Sequence, residues 1–162
     1  MVRFRHIFSL CLVGLLLFSS CSKDSSTTPT DSTAYTLTAK VDGVAWDGTS
    51  TASASNTSLG GLQPLVINGV FNGLEISIRT SHTDDTGSNG FDAQFKFSTA
   101  KITEGSKVWS TANGSSFSNG SIHVTKLTSS LAEGTFNFTA ISASDTTNKR
   151  IVTDGKFLVK LN

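Results

Sequence analysis

Only two cysteines occur in the 162 residues, Cys11 and Cys21, and both precede the bulk of the chain. A domain built from the residues after Cys21 has no disulfide and no thiol chemistry. No stretch of twelve residues carries convincing helical periodicity, which argues against an α-helical core. Histidine is scarce: beyond His6 there are only His82 and His123. No G-x-S-x-G elbow is present, and a nucleophile needs a base and an orienting group within reach. Charge of one sign is missing too. Removing Arg3 and Arg5 from the 13 basic residues leaves 11 against 12 acidic, a formal −1 without a basic stripe. Nucleic-acid binding therefore loses its electrostatic basis. The chain reads as no enzyme.

The longest apolar run is also short. Residues 7–18 are almost wholly apolar after a basic opening of Arg3, Arg5 and His6. A spanning helix needs about 20 such residues, whereas a basic head and a 7–15-residue apolar stretch form a secretory signal. Residues 17–21, LFSSC, resemble a bacterial lipobox, in which small residues precede a cysteine that receives diacylglycerol before cleavage. Phe18 stands where the usual pattern has Leu. The expectation is a signal peptide over residues 1–20, lipidation of Cys21, and a palmitate-bearing anchor in the bacterial outer membrane, with the periplasmic or cell-surface side undecided. Several acyl chains at about 0.8 kcal/mol per methylene hold a protein on a bilayer. The lone mature cysteine is thereby explained.

Residues 21–34 continue as a tether, rich in Ser and Thr and without large apolar side chains, so they cannot offset the entropy of ordering. Ser22-Lys23-Asp24 resembles the short charged signal of some Bacteroidota surface lipoproteins. Asp31-Ser32-Thr33 and Asp145-Thr146-Thr147 look like the Asp-Ser/Thr-X sites that these bacteria O-glycosylate. Residues 35–162 then make one domain, long enough to bury about two-thirds of its unfolded surface without a staple.

That domain reads as strands. Leu37, Ala39 and Val41 alternate with Thr38 and Lys40; Val44 and Trp46 continue the phase. Leu65, Ile67 and Phe71, Leu74, Ile76 and Ile78, Phe95 and Phe97, and Ile122 and Val124 repeat the pattern. Phe136, Phe138 and Ala140, then Phe157, Val159 and Leu161, close it. One apolar and one polar face mark antiparallel strands on a single core. Eight Asx-Gly pairs punctuate the runs; such pairs favour tight hairpin turns, although Asp154-Gly155, inside a long run, must be a bulge. The expectation is an all-β antiparallel β-sandwich of about eight to ten strands, with a closed, calycin-like β-barrel as the alternative.

Three motifs in order, VDGVAWDG (residues 41–48), GTFNFTA (134–140) and VTDGKF (152–157), resemble uncharacterised Bacteroidota lipoproteins sharing one domain of unknown function. The resemblance implies a β-rich envelope lipoprotein and brings no activity or catalytic residue.

One loop could hold a cation. Asp84, Asp85, Asn89 and Asp92 place three carboxylates and an amide within nine residues, and calcium takes six to eight oxygens. The ordinary reading is a solvated turn, because Asp, Asn and Gly are also the turn formers. His82 with Asp84 and Asp85 is a weaker zinc candidate. Trp109 is a candidate ligand-binding residue if exposed, whereas Trp46, in phase with Val44, belongs to the core. No other cofactor is expected. The functional expectation is a non-catalytic binding or scaffolding lipoprotein, joined to the membrane by its lipid and to a glycan or an envelope protein by its surface. A carrier of a small apolar ligand is the alternative.

Overall fold

Two Asx-Gly pairs form the turns their chemistry favours. Asp42 and Gly43 take φ of 52° and 83°, joining β1 (Thr36–Val41) to β2 (Val44–Asp47). Asn72 and Gly73, at 50° and 76°, join β4 (Leu65–Phe71) to β5 (Leu74–Arg79). Positive φ at both central residues matches the turn to the right-handed twist of its strands. The remaining strands are β3 (Ser53–Asn56), β6 (Gly87–Gly90), β7 (Thr99–Glu104), β8 (Lys107–Ser110), β9 (Gly120–Leu127), β10 (Leu131–Ser142) and β11 (Lys149–Lys160). This is a computed structural model; it describes residues 34–56, 64–80, 86–91, 98–113 and 119–162. Residues expected to form the strand around Phe95 and Phe97 lie outside them.

The all-β antiparallel class expected from alternation is the class observed. Eleven described strands join in one sheet, ordered β2-β1-β11-β10-β8-β7-β5-β4-β3, with β9 on β10 and β6 on β9. Every ladder is antiparallel, and the sheet curls around its apolar face in a half-barrel arrangement. Two seams draw the curl together. A parallel bridge links Ala54 to Leu161, beside a bond from the Asn162 amide to the Ala54 carbonyl of 3.0 Å. Farther along, Thr51 substitutes for a strand: its Oγ1 accepts from the Val70 amide at 2.6 Å and donates to the Val70 carbonyl at 2.8 Å.

The core follows from the alternation. Leu37, Ile67, Ile78, Ile102, Ile122 and Val159 are all buried, together with Phe91, Phe136, Phe138 and Phe157. Val152 and Phe157 need more than alternation, since residues five apart in a regular strand face opposite ways. The bulge solves this. Asp154, at φ 53°, shifts the register of β11 against both β10 and β1, so Thr153 and Asp154 both point outward and Val152 and Phe157 both point in. Val44 departs from its expected phase: Trp46 is 4% exposed but Val44 is 70% exposed. It stands beside the turn, past the end of the core.

Four short connections lie at one end of the curl: Asp42-Gly43, Asn72-Gly73, Gly105-Ser106 and residues 143–148. Of the six exposed large apolar residues described, Val44, Val70, Phe71, Val108 and Ile151 sit within three positions of these turns. The chain enters β1 at the opposite end, where Thr36 faces Leu158.

Arg150 ties that turn-bearing end together. Its guanidinium bonds Asp42 at 2.8 Å and Glu104 on β7, and lies 4.8 Å from the centre of the Trp109 ring. Asp42 also accepts from the Ile151 amide at 2.8 Å. The Arg150 pKa is raised, first by the hydrogen bond to Asp42 and then by the charge of Glu104, against partial burial. Arg150→Ala leaves two carboxylates and an indole without their common partner and is expected to cost about 2 kcal/mol. Urea denaturation checks this. Arg150→Lys keeps the charge but not the planar fork and should recover only part of the loss.

Candidate binding surfaces

The first surface is the mouth of the curl at the turn-bearing end. A cleft of about 260 Å³ is lined by Val44, Trp46, Phe71 and Leu74, with Arg150, Asp42 and Glu104 at its rim. The Trp46 Nε1 donates to the Leu74 carbonyl at 3.1 Å, which fixes the floor of this cleft.

The second surface is the outward face of six strands, and it is set by register. Ser88 on β6 pairs with His123 on β9, His123 with Thr135 on β10, Thr135 with Lys156 on β11, Lys156 with Thr38 on β1, and Thr38 with Asp47 on β2. These residues, far apart in sequence, make one polar row. A second row sets Ser121 against Asn137, and Thr153 against Lys40. The bulge gives the face depth. A depression of about 670 Å³ holds Thr38, Lys40, Thr135, Asn137, Asp154 and Lys156. Another of about 440 Å³ holds Asn137, Thr139, Lys149, Ile151 and Thr153. They meet at Asn137. Lys40 pairs with Asp154 at 2.9 Å, while the Asp47 carboxylate accepts from the Thr49 amide at 3.0 Å. The hydrogen bonds from Thr49 lower the Asp47 pKa.

One pair on this face has the elements of nucleophile and base. Ser88 Oγ lies 2.8 Å from His123 Nδ1. Both are exposed, and among the described residues no carboxylate bonds the imidazole. Among the described residues the pair has no third, orienting group of the kind that accompanies many nucleophile–base pairs.

The residues singled out by sequence are scattered. Cys21, Asp84, Asp85, Asp92 and His82 lie outside the described residues. Asn89 is half-buried in β6 opposite Ile122. Among the described residues no three His, Cys, Asp or Glu side chains come together as a metal site would require. Trp109 is 4% exposed. Its Nε1 donates to Asn148 Oδ1 at 3.0 Å and its ring lies beneath Arg150, so it is a member of the core rather than an open stacking platform. Glu75, Glu104 and Glu133 are not buried. Arg150 and Asn137 carry no local signal. Each matters through partners on other strands.

The loop between β10 and β11 is held by its own acid. Asp145 Oδ1 accepts from the Thr147 hydroxyl at 2.7 Å and the Thr147 amide at 2.9 Å. These bonds, the side-chain one first, hold the Asp145 pKa below its ordinary 3.8. A depressed carboxyl contributes stability that is complete above its unfolded value and is lost as pH falls through the folded one. Wild type should therefore exceed Asp145→Asn in melting temperature at neutral pH, and the gap should close below pH 3.8. Thermal scans across that range check it; a gap that persists in acid refutes it.

No curated protein and no solved structure matches the chain. A family model does match, over residues 33–159, from just before β1 to near the end of β11, and the chain belongs to that family, a domain of unknown function (DUF6252).

Proposed function

We propose that this protein is a lipid-anchored, non-catalytic binding protein of the bacterial outer membrane, of the Bacteroidota type that its motifs resemble, and that it binds through the outward face of β6-β9-β10-β11-β1-β2. The observation that carries the reading is the pair of depressions meeting at Asn137, lined by hydroxyls, an amide and lysines. Groups of that kind suit a polar ligand at a wet, open surface. Cys21, following a short apolar run and small residues, supports the anchor. The Ser88–His123 pair, open to solvent and without an orienting acid among the described residues, supports binding rather than turnover.

Two measurements test the reading. Labelled palmitate should enter the wild-type protein and not Cys21→Ser, and that variant should leave the membrane fraction. A chain starting at Ser22 should sediment with washed envelopes, and Thr135→Asp with Asn137→Asp should release it. Sedimentation of both forms alike, or of neither, overturns the reading.

A second reading, carriage of a small apolar ligand, draws on the 260 Å³ cleft floored by Trp46 and walled by Val44, Phe71 and Leu74. Mouths of β-barrels are common ligand sites. Native mass spectrometry decides: a carrier retains a bound small molecule after purification, and a mass equal to that of the bare chain removes this reading.

A further inference from the structure

Resting on that binding reading, the geometry points to a ligand class for the polar face: we infer that it binds an acidic polysaccharide, a chain of sugars carrying carboxylates or sulfates.

Charge comes first. Lys40, Lys126, Lys149, Lys156 and Lys160 all project from these strands as exposed residues, against Asp47, Glu133 and Asp154. The face is positive although the mature chain is formally −1. Part of that charge is internally matched. Lys40 pairs with Asp154, and Lys126 stands opposite Glu133 in the ladder. Lys149 and Lys156 have no ionic partner among the described residues and line the two depressions, one each. They are seven positions apart on one strand, roughly 20 Å at the rise of extended chain. A polymer with repeated negative groups reaches both, whereas a small anion reaches one.

The groups between the lysines narrow the class further. Thr135, Asn137, Thr139 and Thr153 point outward between them and offer hydroxyls and an amide that both donate and accept, the complement of a sugar's hydroxyls. Among the described residues no exposed Phe, Tyr or Trp lies on the face, since Tyr35 and Phe71 are elsewhere, and the one exposed ring, His123, is hydrogen-bonded to Ser88. Neutral sugars recognised by ring stacking, and unpaired bases recognised the same way, therefore find no platform. Lysine is also the cation for a repeating anion of variable geometry, since it acts as a mobile point charge and not as a planar fork. The two depressions share Asn137, so a long chain lying along β11 can occupy both.

Affinity electrophoresis of the chain from Ser22 onward, with polygalacturonate cast in the gel, tests the inference. Mobility should fall in polygalacturonate and stay unchanged in dextran. Lys149→Gln with Lys156→Gln should weaken retardation about tenfold, as expected where Coulombic contacts dominate. Lys101→Gln with Lys107→Gln, the same charge change on β7 and β8, should change it less than about twofold by the same argument. Circular dichroism confirms that both double variants fold. Equal weakening by the two double variants would show only net charge at work and would overturn the inference. So would retardation in dextran, equal retention of single-stranded DNA, or no retardation at all. Envelope sedimentation that persists without polygalacturonate binding removes this ligand and leaves the broader binding reading intact.

Discussion

Gly134→Ala is expected to destabilise the domain by about 3 kcal/mol, at the upper end of overpacking costs. A methyl group there would stand 2.1 Å from the His123 carbonyl oxygen and 2.6 Å from Phe157 Cζ. Neither neighbour has room to retreat. His123 belongs to the β9 ladder, whose register shifts between Glu133 and Gly134, and Phe157 is packed against Phe136 with ring centres 6.5 Å apart. Gly134 and Phe157 are cross-strand partners, as are Phe136 and Gly155. Each ring lies over the glycine opposite, so that two aromatics and two glycines share the space of four ordinary side chains. Equilibrium urea unfolding measures the cost. Adding Phe157→Leu to Gly134→Ala should recover less than half, because the ring clash is relieved and the carbonyl clash is not. A Gly134→Ala protein within about 0.5 kcal/mol of wild type, the range of neutral surface changes, would show that β9 yields and that the close approach is incidental.

The GTFNFTA motif is legible as an alternating strand with small residues between rings, but the reason for its glycine is not. That reason lies on β9 and β11, and a single strand does not name its neighbours. The same limit runs through the fold. Alternation places Ile76, Ile78, Phe136 and Phe138 correctly because a period of two depends only on the strand itself. It misplaces Val44, since alternation says which side a residue faces and not where the core stops. Among the Asx-Gly pairs, Asp42-Gly43 and Asn72-Gly73 form hairpin turns and Asp154-Gly155 the bulge, while Asn68-Gly69 lies within β4. The dipeptide permits positive φ; tertiary pairing decides whether it is used. Gly105, at φ 59°, opens the turn between β7 and β8 without an Asx partner, so a search for Asx-Gly pairs passes over it.

The candidate surfaces are legible in sequence only residue by residue. Outward positions for Lys156, Thr135, Thr38 and His123 follow from alternation. Their alignment in one row comes from three separate ladders, and register between strands more than a hundred residues apart is not written in either strand alone. Arg150 is the clearest instance. Its partners Asp42 and Glu104 are 108 and 46 positions away, and nothing near it in sequence separates it from an ordinary exposed cation. Trp109 departs in the other direction. Its flanking residues give no phase strong enough to bury it, yet the pairing of β8 with β10 brings it beside Asn148 and Arg150.

Phe91→Ala is expected to lose about 3–5 kcal/mol, the usual cost of deleting a buried ring. Phe91 is wholly buried and meets Phe138 edge to face, with centres 5.8 Å apart at 81°. Its backbone is also fixed: the amide donates to the Gly120 carbonyl and the carbonyl accepts from the Asn119 amide, each at 2.9 Å. Phe138 and Ile122, held in the ladders of β10 and β9, have little freedom to close the cavity left behind. The consequence reaches the polar face, because β6 has β9 as its ladder partner and ends at this ring. Loosening Phe91 should therefore raise hydrogen exchange at Ser88 and Asn89 well before Thr135 or Lys156 responds. Phe91→Leu, which refills most of the volume, should cost about 1–1.5 kcal/mol, as volume-conserving swaps do, and leave that order of exchange unchanged. If Phe91→Ala speeds exchange equally across β6, β10 and β11, the ring stabilises the whole sheet and not its edge, and the Ser88 end of the polar face is as rigid as its centre.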